Sequence, residues 1–308
     1  MKKIQRNTLL FIFPILLVWI SIECFYRITP NNYSFKQKQI PKHYNVAKGL
    51  IFGDSHYFYG LNPESFSRPV FNMANISQTI YFDELLFKKH IDSFKKLEFV
   101  IFPMEYTTLS QADNTQEDVW RKYFYRYNME LEVPLITTFD LKKYSLALTR
   151  KLKHTIRTIT QYINEGTLIG CDKRGWGNTY VTAVDSLEME RLAKIISAKH
   201  DDGSMVFSHN ITRLKGMISI CAKKQIKVFL VNMPVGEPYL NKLDYKEVKA
   251  IERISKQLSE KYANVFNINL LRNPKFKLSD FHDADHLNIK GAKKCSKIID
   301  AEVSRYLK

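Results

Sequence analysis

The chain has 308 residues, 45% of them hydrophobic and 25% charged, enough apolar side chain to bury a core and too much for a disordered polypeptide. With 11 Gly, 10 Pro and 4 Cys it is not collagen-like, Pro-rich or a disulfide scaffold, and no self-similar period marks a repeat array. A formal net charge of +16 draws the molecule toward anionic partners without naming one.

The first element is apolar. Residues 8–26, TLLFIFPILLVWISIECFY, carry Glu23 as their only formal charge and are about long enough to cross a ~30 Å hydrocarbon layer as a helix. Lys2, Lys3 and Arg6 precede them, so the positive-inside rule predicts a cytoplasmic tail at 1–7, a transmembrane anchor at 8–26 and an extracytoplasmic remainder. A cleaved signal peptide is the rival, but the apolar run is long for one and no small-x-small site follows. Ile22-Glu23-Cys24 also lacks the small residues of a lipoprotein cleavage box. The expected location is the cell membrane, single-pass. The positive charge then faces the cell envelope, where anionic polysaccharide or the membrane surface would meet it. Nucleic acid is not expected, because no recognition-helix or base-stacking signature is present.

Residues 27–46 are polar and Pro-punctuated and read as a stalk. Beyond them, short apolar runs at Leu50-Ile51-Phe52, Val70-Phe71, Phe99–Phe102, Val228–Val231 and Val265–Ile268 predict five buried strands. Helical patterns lie between them, including Leu214, Met217, Ile218 and Cys221, then Ile251, Ile254, Leu258 and Tyr262, and finally Ala292, Cys295, Ile299 and Val303. The β-α-β order predicts an α/β domain over 47–308: a flavodoxin-like three-layer sandwich with a mostly parallel, about five-stranded sheet and its chemistry at the strand ends. The stretch 110–205 breaks the alternation and reads as an insertion.

Ser55 directly follows the first strand in Gly53-Asp54-Ser55-His56, at a strand-to-helix turn where a hydroxyl can project into a crevice. Near the other end, DFHDADHLNIKGA places Asp283 and His286 three residues apart before the last helix. An aspartate at that spacing can accept from imidazole Nδ1 and leave Nε2 to take a serine proton. The bland alternatives are a capping Asp with a surface His, or a hard metal site built from Asp280, His282, Asp283, Asp285 and His286.

These two blocks resemble the first and last blocks of the SGNH (GDSL-like) hydrolases. The strings GDSHYFYGLNPESF, LVNMPVGEPY and DFHDADHLNIKGAKKCS look like a membrane-anchored bacterial cell-envelope branch of that superfamily. The resemblance covers about residues 48–110 and 205–308. It implies Ser55 as nucleophile, His286 as general base and Asp283 as the orienting carboxylate. The family's second-block glycine should fall within Asn72–Gln78, where no Gly occurs, and its Gly-x-Asn-Asp block is replaced by Phe102-Pro103-Met104-Glu105-Tyr106. Both departures touch the oxyanion hole, for which the Ser55 N–H and the side chains of Asn75 or Gln78 are the candidates.

Glu105 is expected to anchor a loop or bind a sugar hydroxyl, and Asn232 to line the crevice or hold a turn. Arg174 and Trp176 are candidates for holding a sugar by hydrogen bonding and stacking, Trp176 with core filling as its alternative. Cys171, Cys221 and Cys295 lack metal-ligand spacing and read as a disulfide pair plus one, or as buried thiols. No Walker loop, dinucleotide fingerprint or HExxH motif occurs, so no metal or cofactor is expected.

The expected function is an exported serine esterase or O-acyltransferase, with acetyl as the expected group, acting on cell-envelope or capsular polysaccharide through an acyl-enzyme. The transferase form calls for a membrane partner that donates acyl groups. The alternative is a non-catalytic glycan-binding or assembly protein that keeps the fold, since function resides in the site and not the fold.

Overall fold

The computed structural model describes residues 2–111, 113, 119–201 and 203–307. All five apolar runs are strands: β1 (Gly49–Ile51), β2 (Val70–Asn72), β3 (Phe99–Pro103), β4 (Lys227–Asn232) and β5 (Val265–Asn269). Every pairing is parallel, and the order across the sheet is β2-β1-β3-β4-β5. Leu50 in β1 is in register with Phe71 on one side and Val100 on the other. β1, β2 and β3 are buried throughout, which is why they read as continuous apolar runs instead of alternating ones.

Parallel neighbours need long crossovers, and helices supply them. In chain order the helices are α1 (Lys2–Ile28), α2 (Asn32–His43), α3 (Ser55–Gly60), α4 (Ile80–His90), α5 (Arg121–Asn128), α6 (Leu152–Glu165), α7 (Ser186–His200), α8 (Ser208–Lys223), α9 (Glu237–Leu240), α10 (Tyr245–Lys261) and α11 (Ile289–Tyr306). Helix α8 packs on β4 and α10 on β5. The predicted apolar faces are the buried ones: Leu214, Met217, Ile218 and Cys221 in α8, and Ala292, Cys295, Ile299 and Val303 in α11.

The chain divides into two compact units, one from Met1–Gln37 with Asp118–Gly170 and the other from Lys38–Glu117 with Cys171–Lys308. The larger holds the sheet. In the smaller, α1 is long and apolar enough to cross a membrane. The expected insertion at 110–205 is thus not one body: 118–170 groups with the N-terminal segment and 171–205 with the sheet. The expected stalk at 27–46 contains α2, because Tyr33, Lys36 and Ile40 fall at helical spacing and are buried. Tyr33 lies edge-on to Tyr125 of α5, their ring centroids 4.9 Å apart. Cys171, Cys221 and Cys295 are buried free thiols, and among the described residues no disulfide forms.

Because the five strands run the same way, their carboxyl ends share one edge of the sheet. The chain leaves β1 toward Ser55, β2 toward Asn75, β3 toward Glu105 and β5 toward His286, while Asn232 ends β4.

Candidate active site

The first turn is built around Gly53, whose φ of +124° is open to glycine and strained for other residues. A Cβ there would come within 2.5 Å of the Tyr57 ring. The Gly53 N–H donates to Asp83 Oδ1 at 3.1 Å, fixing the turn from below. Asp54 then caps α3, accepting from the His56 N–H at 2.9 Å, and Ser55 opens the helix.

The second turn is held by its own aspartates. Asp283 Oδ1 accepts from the backbone N–H groups of Asp285 (3.1 Å) and His286 (2.7 Å). Asp280 accepts from the Lys277 N–H at 2.8 Å and pairs with Lys294 of α11. Asn288 caps α11 by accepting from the Gly291 N–H at 3.0 Å.

Between these turns, 231 residues apart in sequence, Ser55 Oγ lies 2.8 Å from His286 Nε2. His286 Nδ1 faces both Asp283 oxygens, at 3.1 and 3.0 Å. Asp285 Oδ1 is also 3.0 Å from Nδ1, as an ion-pair contact outside hydrogen-bond geometry. Asp283 therefore orients the ring and Asp285 adds charge. The structure thus brings Ser55, His286 and Asp283 into one line, at the distances that a serine–histidine–aspartate arrangement requires.

A second histidine, unassigned from sequence, sits against the first. The His56 ring stacks on His286 with centroids 4.7 Å apart and 14° between planes. Its Nδ1 faces Asp54 Oδ1 at 3.0 Å and Glu105 Oε2 at 2.7 Å, and its Nε2 faces Asp285 Oδ2 at 3.1 Å. With a carboxylate at each nitrogen, both nitrogens carry protons and the ring is a buried cation. Burial alone would lower its pKa, but Glu105, Asp54 and Asp285 together hold it well above the ordinary value.

His286 follows the same logic: desolvation opposes its charge, yet Asp285 and then Asp283 raise its pKa to about 10. Burial also acts on Asp285, where His286 and His56 overcome it and keep the carboxylate well below its usual range. Glu105 goes the other way, to about 7, through burial and then repulsion from Asp54, with His56 opposing. His200, whose Nδ1 is 2.7 Å from the Tyr239 hydroxyl, is pushed down to about 4, chiefly by burial.

The other predicted residues separate. The Asn75 N–H donates to the Gly53 carbonyl at 3.2 Å, tying it to the serine turn, and its side-chain Nδ2 is buried without a hydrogen-bond partner. Gln78 is a correction: its amide donates to Asp83 Oδ1 (2.6 Å) and the Met73 carbonyl (3.3 Å), so it braces the Gly53 turn and is not a free oxyanion donor. Glu105 is buried against His56 and faces inward, not toward a sugar. Asn232 is buried beside it, lining the same cavity of about 20 Å³ as His56 and Glu105. Trp176 fills core: its indole N–H donates to the Tyr59 carbonyl at 2.7 Å. Arg174 is exposed, and its carbonyl accepts from the Asn72 N–H at 2.8 Å.

An aromatic wall flanks the triad. Tyr59 and Tyr180 stack at 3.7 Å, Tyr180 stacks on His282 at 3.9 Å, and Tyr180 meets His286 edge-on at 5.6 Å. Only a contact map could have revealed this wall, since Tyr180 lies in the least periodic part of the sequence.

For a metal, two groups offer clustered ligand atoms: His56, Asp285 and His286, and Asp54, His56 and Glu105. Both use His56, whose nitrogens face Asp54, Glu105 and Asp285 as ion-pair partners, while Glu105 Oε1 and Oε2 and Asp285 Oδ1 make no hydrogen bond. The hard-metal alternative read from the last loop is not gathered. Asp280 pairs with Lys294, and His282 Nδ1 lies 3.3 Å from Thr182.

No family model matches the chain, and no curated protein matches it. Among solved structures, "The structure of a putative platelet activating factor from Streptococcus pneumonia" aligns over 97% of this chain and 99% of its own at 12% identity, with a TM-score of 0.41.

Proposed function

We propose that this chain is a membrane-anchored serine esterase or O-acyltransferase of SGNH type, with a flavodoxin-like three-layer domain, acting on acylated cell-envelope polysaccharide. The observation that carries the reading is the continuous line Ser55 Oγ to His286 Nε2 (2.8 Å), then His286 Nδ1 to Asp283 (3.0 Å). The strand order 2-1-3-4-5 with the site at the carboxyl ends supports the fold assignment.

In the reaction, neutral His286 takes the Ser55 proton at Nε2 as Oγ attacks the acyl carbonyl. Asp283 accepts from Nδ1 and stabilises the imidazolium as it forms. The Ser55 N–H and the unpartnered Asn75 amide are the donors proposed for the developing oxyanion. His286 returns the proton to the leaving sugar oxygen, giving an acyl-enzyme on Ser55. Water or a second sugar hydroxyl, deprotonated by His286, then takes the acyl group and restores Ser55. Acetyl is the proposed group.

Labelling with a fluorophosphonate probe tests this directly. Wild type should label, and Ser55→Ala and His286→Ala should not. At about pH 9–10, where His286 begins to lose its proton, an unlabelled but folded wild type overturns the enzyme reading in favour of a glycan-binding role. Acetyl content of envelope polysaccharide from cells lacking the protein then gives direction, a gain for an esterase and a loss for a transferase.

A further inference from the structure

The smaller unit carries a surface that the ester chemistry does not use. Residues 139–163 wrap the far end of α1 through polar bonds. Glu23 accepts from Ser145 Oγ at 2.7 Å and from the Ala147 N–H at 2.9 Å. The Trp19 indole N–H donates to Ser145 Oγ at 3.1 Å, and the Tyr26 hydroxyl donates to Thr155 Oγ1 at 3.0 Å. Phe25 meets Tyr162 edge-on, 5.8 Å between centroids.

Those contacts fix a depth. An α-helix rises about 1.5 Å per residue, so even with Lys2 at the inner edge of a bilayer, Trp19 stands only about 26 Å above it. The hydrocarbon layer is about 30 Å thick, and any tilt lowers Trp19 further. If α1 spans, Ser145 cannot clear the membrane, and with residues 8–26 as the span Tyr26 stands about 27 Å above Thr8, which sets the start of α6 at the same level. They lie at its outer boundary.

The exposed side chains of this segment suit that depth. Leu152, Ile156 and Ile163 recur at one face of α6, beside the side that carries Thr155 and Tyr162 to α1, and all three are exposed. Phe139, Leu141 and Leu148 extend the exposed apolar surface. Lys142, Lys143, Arg150, Lys151, Lys153 and Arg157 border it, against Asp140 and Glu165. An apolar stripe edged by cations is the pattern of a helix lying in a membrane interface, with long basic side chains reaching headgroup phosphates.

We propose that residues 139–163 form an interfacial platform seated in the outer leaflet of the membrane that α1 spans, with Leu152, Ile156 and Ile163 in the acyl boundary and the flanking cations on anionic phospholipid headgroups. The proposal rests on the anchor reading of α1. The platform fixes the smaller unit against the bilayer at a second place besides the span.

The test uses the full chain with Cys24→Ser, the exposed thiol removed, reconstituted into nanodiscs of phosphatidylcholine with phosphatidylglycerol. An environment-sensitive fluorophore is placed through Ile12→Cys in the anchor or Ile156→Cys in the platform, both exposed positions. Spin-labelled lipids should quench both labels, the Ile156 label from a shallower depth. Quenching at Ile12 alone overturns the platform and leaves the anchor standing; quenching at neither overturns both. Replacing phosphatidylglycerol by phosphatidylcholine should move the Ile156 label toward water. A label indifferent to lipid charge overturns the headgroup contacts.

Discussion

Asp285 bridges two stacked imidazoles, one carboxylate oxygen 3.0 Å from His286 Nδ1 and the other 3.1 Å from His56 Nε2. Two cations face to face repel, and an anion touching both offsets that repulsion in a medium of low dielectric. The arrangement keeps His286 protonated at rest, since its pKa stands at about 10.

The pH profile of ester hydrolysis should show this. On the proposed mechanism Ser55 is activated by neutral His286, so kcat/KM should climb roughly tenfold per pH unit through the neutral range, without levelling below about pH 9. In Asp285→Asn the rising limb should move to lower pH. Initial rates with a chromogenic acetyl ester measure it, and a wild-type plateau beginning near pH 7 contradicts the arrangement.

Stability should depend on pH in the opposite sense. An unfolded histidine titrates near 6.5, whereas folded His286 holds its proton to about pH 10 and His56 holds its own well above the ordinary value. The folded state therefore binds more protons than the unfolded one above about pH 6.5, and stability falls as pH rises through that window. Glu105, raised to about 7, adds a decline of the same sign between its unfolded value and neutrality. Urea midpoints taken across this range should decrease steadily; a midpoint that increases from pH 7 to 9 would refute the claim.

His56→Gln removes a cation from among Asp54, Glu105 and Asp285 and leaves buried carboxylates uncompensated. Breaking such a pair typically costs about 3–5 kcal/mol. The double variant His56→Gln/Glu105→Gln should recover part of the loss, because one carboxylate leaves with the cation. Denaturant titrations of both proteins decide it, and a double variant weaker than the single one counts against the network.

Trp176→Phe keeps one aromatic ring, deletes the 2.7 Å bond to the Tyr59 carbonyl and leaves a void where the pyrrole ring was. Losing a buried hydrogen bond and part of a packed ring should cost at least about 1–3 kcal/mol. Thermal denaturation measures it. Unchanged stability together with weakened glycan binding would return Trp176 to the sugar-stacking role.

β1 to β4 were legible in sequence because strands buried on both faces leave nearly uninterrupted apolar runs, and β5 because Val265, Phe266 and Ile268 stand out between polar neighbours; the Ser55–His286–Asp283 cluster was legible because a serine turn and an Asp-x-x-His loop each carry a local signature. His56 was not. It stands beside Ser55 in the same turn, and its partners Glu105 and Asp285 come from two other loops that only the fold brings together. Gln78 misled for a related reason: an amide near a catalytic turn donates to whatever is nearest, and Asp83 is nearer. The helix at 32–43 was hidden by its polarity, since buried Lys36 and Gln39 do not read as core.

The separation of Ser55 from its base has a consequence for the growing polypeptide. Chains emerge from the ribosome amino end first, so the hydroxyl appears early and the imidazole 231 residues later, just ahead of α11. A nascent or truncated product ending before that loop holds the serine turn without the imidazole that faces it, so the Ser55–His286 contact forms only once residues 283–286 have been made.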